Sequence, residues 1–158
     1  MEIQIIDTGC FYADGGAMFG AIPKTAWSRR YPSNETNGCI LSMRSLLISK
    51  APEKVVLVDN GAGDKHLSQL SYYNFFDLSD LEDELRKKGV SPEQVTDVVL
   101  THLHFDHCGY TTRKNEETGE LYPSFPNAVH WVSRKQWENF LHPNPVSYTH
   151  LTLPTILR

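Results

Sequence analysis

The chain has 158 residues, with 15 Lys and Arg against 19 Asp and Glu and 40% hydrophobic residues. That length suits one domain with a core of its own, and a formal net charge of -4 without a long basic run argues against a nucleic-acid partner held by phosphate contacts. No apolar run approaches the roughly 20 residues that cross a bilayer. The start, MEIQIIDTGC, lacks a secretory leader pattern, and Cys10, Cys39 and Cys108 stand far apart without a CxxC pair, so a cytoplasmic setting without a membrane partner is expected.

In chain order, residues 2–6 read as a short strand that ends at Asp7-Thr8-Gly9. A long aromatic-bearing loop is expected from Cys10 to about Asn37, with turn signals at Asp14-Gly15-Gly16 and Tyr31-Pro32-Ser33-Asn34. Within it, Phe11, Tyr12, Met18, Phe19, Ile22, Trp27 and Tyr31 are candidates for an apolar substrate wall, the usual lining of a small-molecule pocket. Cys39–Ser49 and Lys54–Val58 read as a strand pair joined by the turn Lys50-Ala51-Pro52-Glu53. Asp59-Asn60-Gly61-Ala62-Gly63-Asp64 is a sharp loop closing the second strand.

Leu78, Leu81 and Leu85 repeat at helical spacing, with Ser79 or Asp80 as cap, a basic last turn at Arg86-Lys87-Lys88 and Gly89 as terminator. Ser91-Pro92-Glu93-Gln94 starts another helix, with Pro at the first helical position. The β-branched stretch Val95–Leu100 reads as a buried strand. Thr112–Glu120 is a polar excursion, Val129–Val132 a strand, and Ser133–Leu141 a short helix with Trp137 turned inward. Alternating strands and helices predict a layered α/β domain.

Chemistry concentrates where the Val95–Leu100 strand runs into Thr101-His102-Leu103-His104-Phe105-Asp106-His107. In extended chain, residues two apart point the same way, so His102 and His104 can grip one ion together. A turn after Phe105 would swing Asp106 and His107 towards a second ion beside it, while Leu103 and Phe105 anchor the loop in the core. Imidazole nitrogen and carboxylate oxygen suit zinc, with iron or manganese as alternatives. For Cys108, His130 and His142 the expectation is a structural role, since no partner of matching spacing accompanies them.

The HxHxDH pattern after a buried strand resembles the signature of the metallo-β-lactamase superfamily, and THLHFDHCG is most similar to its lactonase-like branch. The resemblance implies an α/β fold, with residues 1–145 forming the N-terminal part of an α/β/β/α sandwich. By it, His102 and His104 are ligands of a first metal, Asp106 and His107 of a second, and Asp59 steadies the metal-binding loop. It further implies a binuclear zinc-dependent hydrolase in which a hydroxide shared by the two ions attacks a lactone or ester carbonyl, with Asp106 orienting the nucleophile. Phosphodiester or phosphotriester hydrolysis on the same metal pair, and an inactive metal-binding half-domain, are the alternatives. A small lactone, ester or phosphoester is accordingly the expected partner.

Tyr110 stands where many members of the superfamily carry a second Gly. The superfamily's third His, bridging Asp and last His have no match in this sequence, which reads as a fragment that is inactive alone. One back-translation of Val146–Thr155 matches, in frame, a sequencing-library adapter, so residues 146–158, VSYTHLTLPTILR, are expected to be a non-native tail in which His150 is no ligand.

Overall fold

A computed structural model describes residues 1–143 of the chain. The expected tail, 146–158, lies outside the described residues. Three strands open the fold: β1 (Glu2–Asp14), β2 (Gly38–Ala51) and β3 (Lys54–Val58). Neighbouring pairs of them run antiparallel, and they are joined to β4 (Asp97–Leu100) and β7 (Val129–Val132) through parallel pairing. The resulting five-stranded sheet has the order β1-β2-β3-β4-β7, and a separate two-stranded ribbon pairs β5 (Thr112–Lys114) with β6 (Leu121–Pro123).

The first strand runs well past the end expected for it. Gly9, with φ +123°, lies at a β-bulge where the pairing with β2 shifts between Asp7 and Gly9. A bulge absorbs one extra residue and lets the strand continue, so β1 carries on to Asp14 and takes Phe11 and Tyr12 out of the predicted loop. Only the far part of that loop forms helix, as the short turns α1 (Gly15–Phe19) and α2 (Lys24–Trp27).

Helix α3 (Leu81–Lys87) begins where Asp80 accepts the N–H groups of Glu82 and Asp83, which satisfies donors that a first helical turn leaves free. Acidic Glu82, Asp83 and Glu84 in its first turn and basic Arg86 and Lys87 in its last complement the helix dipole. Its apolar stripe, Leu81 and Leu85, meets Ile6, Leu47, Leu57, Val95 and Val98 in the main core. The expected second helix is a single 3-10 turn, Pro92–Gln94, in which Ser91 N–H donates to Gln94 Oε1. The short stretch before β4 leaves room for no more.

The opposite face of the sheet is apolar as well. Ile5, Leu46, Val58, Val99 and Trp131 fall in register across all five strands, and Ile5 (62%) and Trp131 (53%) are exposed. Helix α5 (Arg134–Leu141), capped by the Ser133 hydroxyl, buries no residue. Trp137 on it is 36% exposed and stacks on Phe140, contrary to the inward position expected of it. An apolar periodicity places a residue on a face but does not supply a surface for that face to cover.

Candidate metal centre

Two adjacent parallel strands, β3 and β4, end side by side, and the site is built on the loops leaving their C-terminal ends. Asp59 closes β3: its N–H still donates to Val99 O, while its φ of +54° turns the chain sharply out of the sheet. A short polar side chain tolerates that left-handed conformation better than most. The turn points the carboxylate at the facing loop, where Oδ1 accepts the Thr101 N–H at 2.8 Å and Oδ2 accepts the Thr101 hydroxyl at 2.7 Å. The same Oδ2 stands 2.8 Å from His107 Nδ1.

Between those two anchors lies the histidine loop. Leu103 and Phe105 point inward and are buried, Leu103 in the main core and Phe105 in a second cluster with Phe11, Met43 and Tyr73. The Phe105 ring lies 4.6 Å from Tyr73 and 5.5 Å from Phe11, the latter edge-on. Such contacts add to the area buried by each ring, and they hold the loop from beneath. With Leu103 and Phe105 inward, His102 and His104 emerge together, their ring centroids 4.6 Å apart.

At Phe105 the chain turns into α4 (Phe105–Cys108). This one helical turn carries the His107 ring to 4.0 Å from His102 and sets its Nε2 3.3 Å from Asp106 Oδ2. All four polar side chains therefore line one cavity of about 500 Å³. Its other wall is apolar, formed by Phe11, Met18, Leu41, Tyr72 and Tyr73.

Of the aromatic wall expected from the sequence, only Phe11 and Met18 line the cavity. Phe19 instead stacks on Trp27 at 4.7 Å and touches Tyr31 at 5.4 Å, forming a cluster of its own, and Tyr12 packs on Phe76. Ile22 is 55% exposed. Tyr72 and Tyr73 complete the wall, and sequence reasoning misses them. Their doublet in an aromatic run, Tyr72-Tyr73-Asn74-Phe75-Phe76, is the signal that could have found them.

Electrostatics in the cluster are dominated by the Asp59–His107–Asp106 chain. Burial opposes a charge on His107, but its hydrogen bonds to Asp106 and Asp59 outweigh burial and push the imidazole up to about 9. Burial likewise raises Asp59, yet bonding to His107 and Thr101 brings its carboxyl below the usual range. His102 is held below the ordinary imidazole value by burial and by repulsion from His107 and His104. The Cys108 thiol, buried beside this loop, is pushed up to about 12. It is no nucleophile at neutral pH, since the thiolate is the reactive form.

The donor chemistry fits a zinc-type ion. A metal-ligating imidazole usually donates its other N–H to a carboxylate or carbonyl, and Asp59 meets Nδ1 of His107 in that way, leaving Nε2 beside the Asp106 carboxylate. His102 and His104 could form one donor pair, and Asp106 and His107 another. Among the described residues, no three His, Cys, Asp or Glu side chains are arranged to hold one ion between them. His130 lies on β7 with Nε2 buried and without a hydrogen bond, and His142 ends α5.

Residues 44–110, which contain the Asp59 turn and the whole histidine loop, match the family model for the metallo-beta-lactamase superfamily. The match is echoed in three dimensions. A probable metal-dependent hydrolase from Staphylococcus aureus superposes with a TM-score of 0.84 at 31% identity, over 95% of this chain and 53% of that one. By sequence over residues 44–110, and by fold, the chain is similar to the metallo-beta-lactamase superfamily. The hydrolase AbOPH of the beta-lactamase superfamily aligns at 25% identity and a TM-score of 0.63, over 92% of this chain and 46% of its own. AidC, a dizinc quorum-quenching lactonase, shares the fold at 22% identity and a TM-score of 0.63, covering 90% of this chain and 45% of its own. No curated protein matches the sequence. The chain spans about half the length of the solved relatives it resembles. Among the described residues, no helix is long and apolar enough to cross a membrane.

Proposed function

We propose that this chain carries part of the active site of a binuclear, zinc-dependent hydrolase that opens lactones or cleaves related esters. The observation that carries the reading is the Asp59–His107 bond: with Nδ1 committed to a carboxylate at 2.8 Å, Nε2 is the nitrogen left for an ion. In this proposal His102 and His104 hold one ion, and Asp106 and His107 the other. Such an ion supplies Lewis acidity, polarising a carbonyl and making a nucleophile available from water at neutral pH.

The chain's own residues do the rest. Asp59 fixes the tautomer and aim of His107. The carboxylate of Asp106 accepts a proton or orients the attacking water through a hydrogen bond. Phe11, Met18, Leu41 and Tyr73 exclude water from one side of the cavity and offer an apolar surface to the non-reacting part of a substrate. The lactonase among the structural neighbours favours a carbonyl substrate. With four donors for two ions, the 158-residue chain alone is expected to bind metal weakly and to turn over little substrate.

Zinc content after equilibrium dialysis tests the assignment. The chain should hold zinc weakly, and His102→Ala with His104→Ala should lose the ion that this pair holds; zinc content unaltered by the double substitution would overturn the ligand set. Turnover of an N-acyl homoserine lactone against that of a phosphodiester, in a protein of the relatives' full length, decides the substrate class.

A further inference from the structure

Besides Asp59, a second residue of the β3 turn reaches the histidine loop. Asn60 is 1% exposed, and its backbone N–H and both side-chain polar atoms are directed at the segment that follows Asp106. Its backbone N–H donates to His107 O at 2.8 Å. In the side chain, Oδ1 accepts the Tyr110 N–H at 3.0 Å, and Nδ2 donates to Thr111 Oγ1 at 2.9 Å. Those bonds reach residues 107, 110 and 111 from a site where water has no access. Asp59 holds the loop where it begins, at Thr101, and by the His107 ring; Asn60 holds the chain that leaves it.

We infer that Asn60 is a positioning residue for the metal centre: it fixes the exit of the histidine loop and so sets where Asp106 and His107 stand relative to His102 and His104. The inference rests on the metal-site reading proposed above. Asp106 and His107 ride on a single helical turn, too short to hold a direction by itself. Its orientation is inherited from its two ends. At the exit, the Tyr110 N–H is shared with Gly61 O at 3.2 Å, and Lys65 Nζ donates to Gly109 O and to Thr112 O. Lys65, though, reaches across on a long side chain and bonds to carbonyls only. Asn60 is the rigid contact, because its amide supplies an acceptor and a donor from one planar, buried group.

The experiment uses Asn60→Ala and the nearly isosteric Thr111→Val in the 158-residue chain, with Val95→Ala as a core substitution remote from the loop. Amide hydrogen exchange is read in the metal-free chain, and cobalt(II) alone is then titrated against its visible spectrum. In Asn60→Ala, exchange across 107–111 should rise roughly tenfold or more, and cobalt affinity should fall roughly tenfold to a hundredfold. Thr111→Val should do the same to a smaller extent, confined to 110 and 111, and it stands in if Asn60→Ala does not fold. Val95→Ala should lower the melting temperature yet keep wild-type cobalt affinity and spectrum. Unchanged exchange and cobalt binding in both loop variants, or an equal loss of affinity in Val95→Ala, would overturn the inference and make Asn60 an ordinary core residue. A wild-type chain that takes up no cobalt would overturn the metal-site reading and the purpose assigned to Asn60 with it; exchange at 107–111 would still report whether Asn60 anchors the loop, so the two failures are told apart.

Discussion

Asp59 and His107, 48 positions apart in the chain, meet through a 2.8 Å contact between a carboxylate oxygen and Nδ1. This contact joins the end of one parallel strand to the histidine loop that follows the next. Because Asp59 Oδ2 also accepts the Thr101 hydroxyl, one carboxylate spans the histidine loop from its first residue to its last imidazole.

Replacing that carboxylate should therefore cost more than one bond. Asp59→Ala is expected to lower zinc affinity roughly tenfold to a hundredfold, and to destabilise the metal-free chain by removing the carboxylate's bonds to the Thr101 N–H and hydroxyl, at about 1.5–3 kcal/mol. A chelator-competition titration beside a urea melt reads both quantities. Wild-type zinc affinity in the variant would refute the role.

The raised His107 sets a pH window. A group whose folded pKa lies above its unfolded value stabilises the fold fully below the unfolded value, and loses that stabilisation as pH rises through the folded one. For His107 this means full benefit below about 6.5 and progressive loss as pH rises to about 9. The metal-free chain should thus grow less stable from about pH 6.5 to about 9 while its zinc affinity rises, since the ion must displace that proton. Melting curves across this range, with and without zinc, check the opposing slopes, and His107→Gln should flatten both.

Gly109 lies where the two loops pack backbone on backbone. A Cβ there would stand 2.0 Å from Ala62 O, so one of the loops must move to admit it. Gly109→Ala is expected to destabilise the fold by about 1–3 kcal/mol or more and to weaken zinc binding with it. At Gly89, where the same Cβ meets nothing within 4 Å, Ala should incur only the strain of a φ of +76°, about 1–2 kcal/mol, with zinc binding intact. Paired urea melts and zinc titrations separate the two.

The sheet face left exposed among the described residues makes a prediction about the molecule in solution. Contiguous apolar patches of this kind drive association, and Ile3 and Ile5, at 56% and 62% exposure, stand at its β1 edge. Sedimentation velocity should show mass rising with concentration, and Ile3→Lys with Ile5→Lys should shift the distribution towards monomer. A wild-type chain monomeric at high concentration would contradict this.

Much of the site is legible in the amino-acid sequence because it is local. His102, His104, Asp106 and His107 fall within six positions, after a strand whose β-branched residues announce burial, and the alternation of Leu103 and Phe105 already divides inward from outward side chains. The cap at Asp80 and the stripe Leu81–Leu85 declare α3 in the same way. Local geometry repeats from protein to protein, so spacing alone places such groups. The aromatic residues are less legible: Phe19, Trp27 and Tyr31 are as suited to a pocket wall as Phe11, and only the bulge at Gly9, which extends β1, decides that Phe11 reaches Phe105 while the others stack apart.

The sequence by itself thus determined which polar side chains gather on the histidine loop, their order and the strand that presents them. Which carboxylate holds His107, which amide clamps Tyr110 and Thr111, and which rings support Phe105 were decided by tertiary structure. Those contacts join residues some 30 to 95 positions apart. A bond of that span has no periodicity to betray it, because it exists only once the sheet has brought the ends of β3 and β4 side by side.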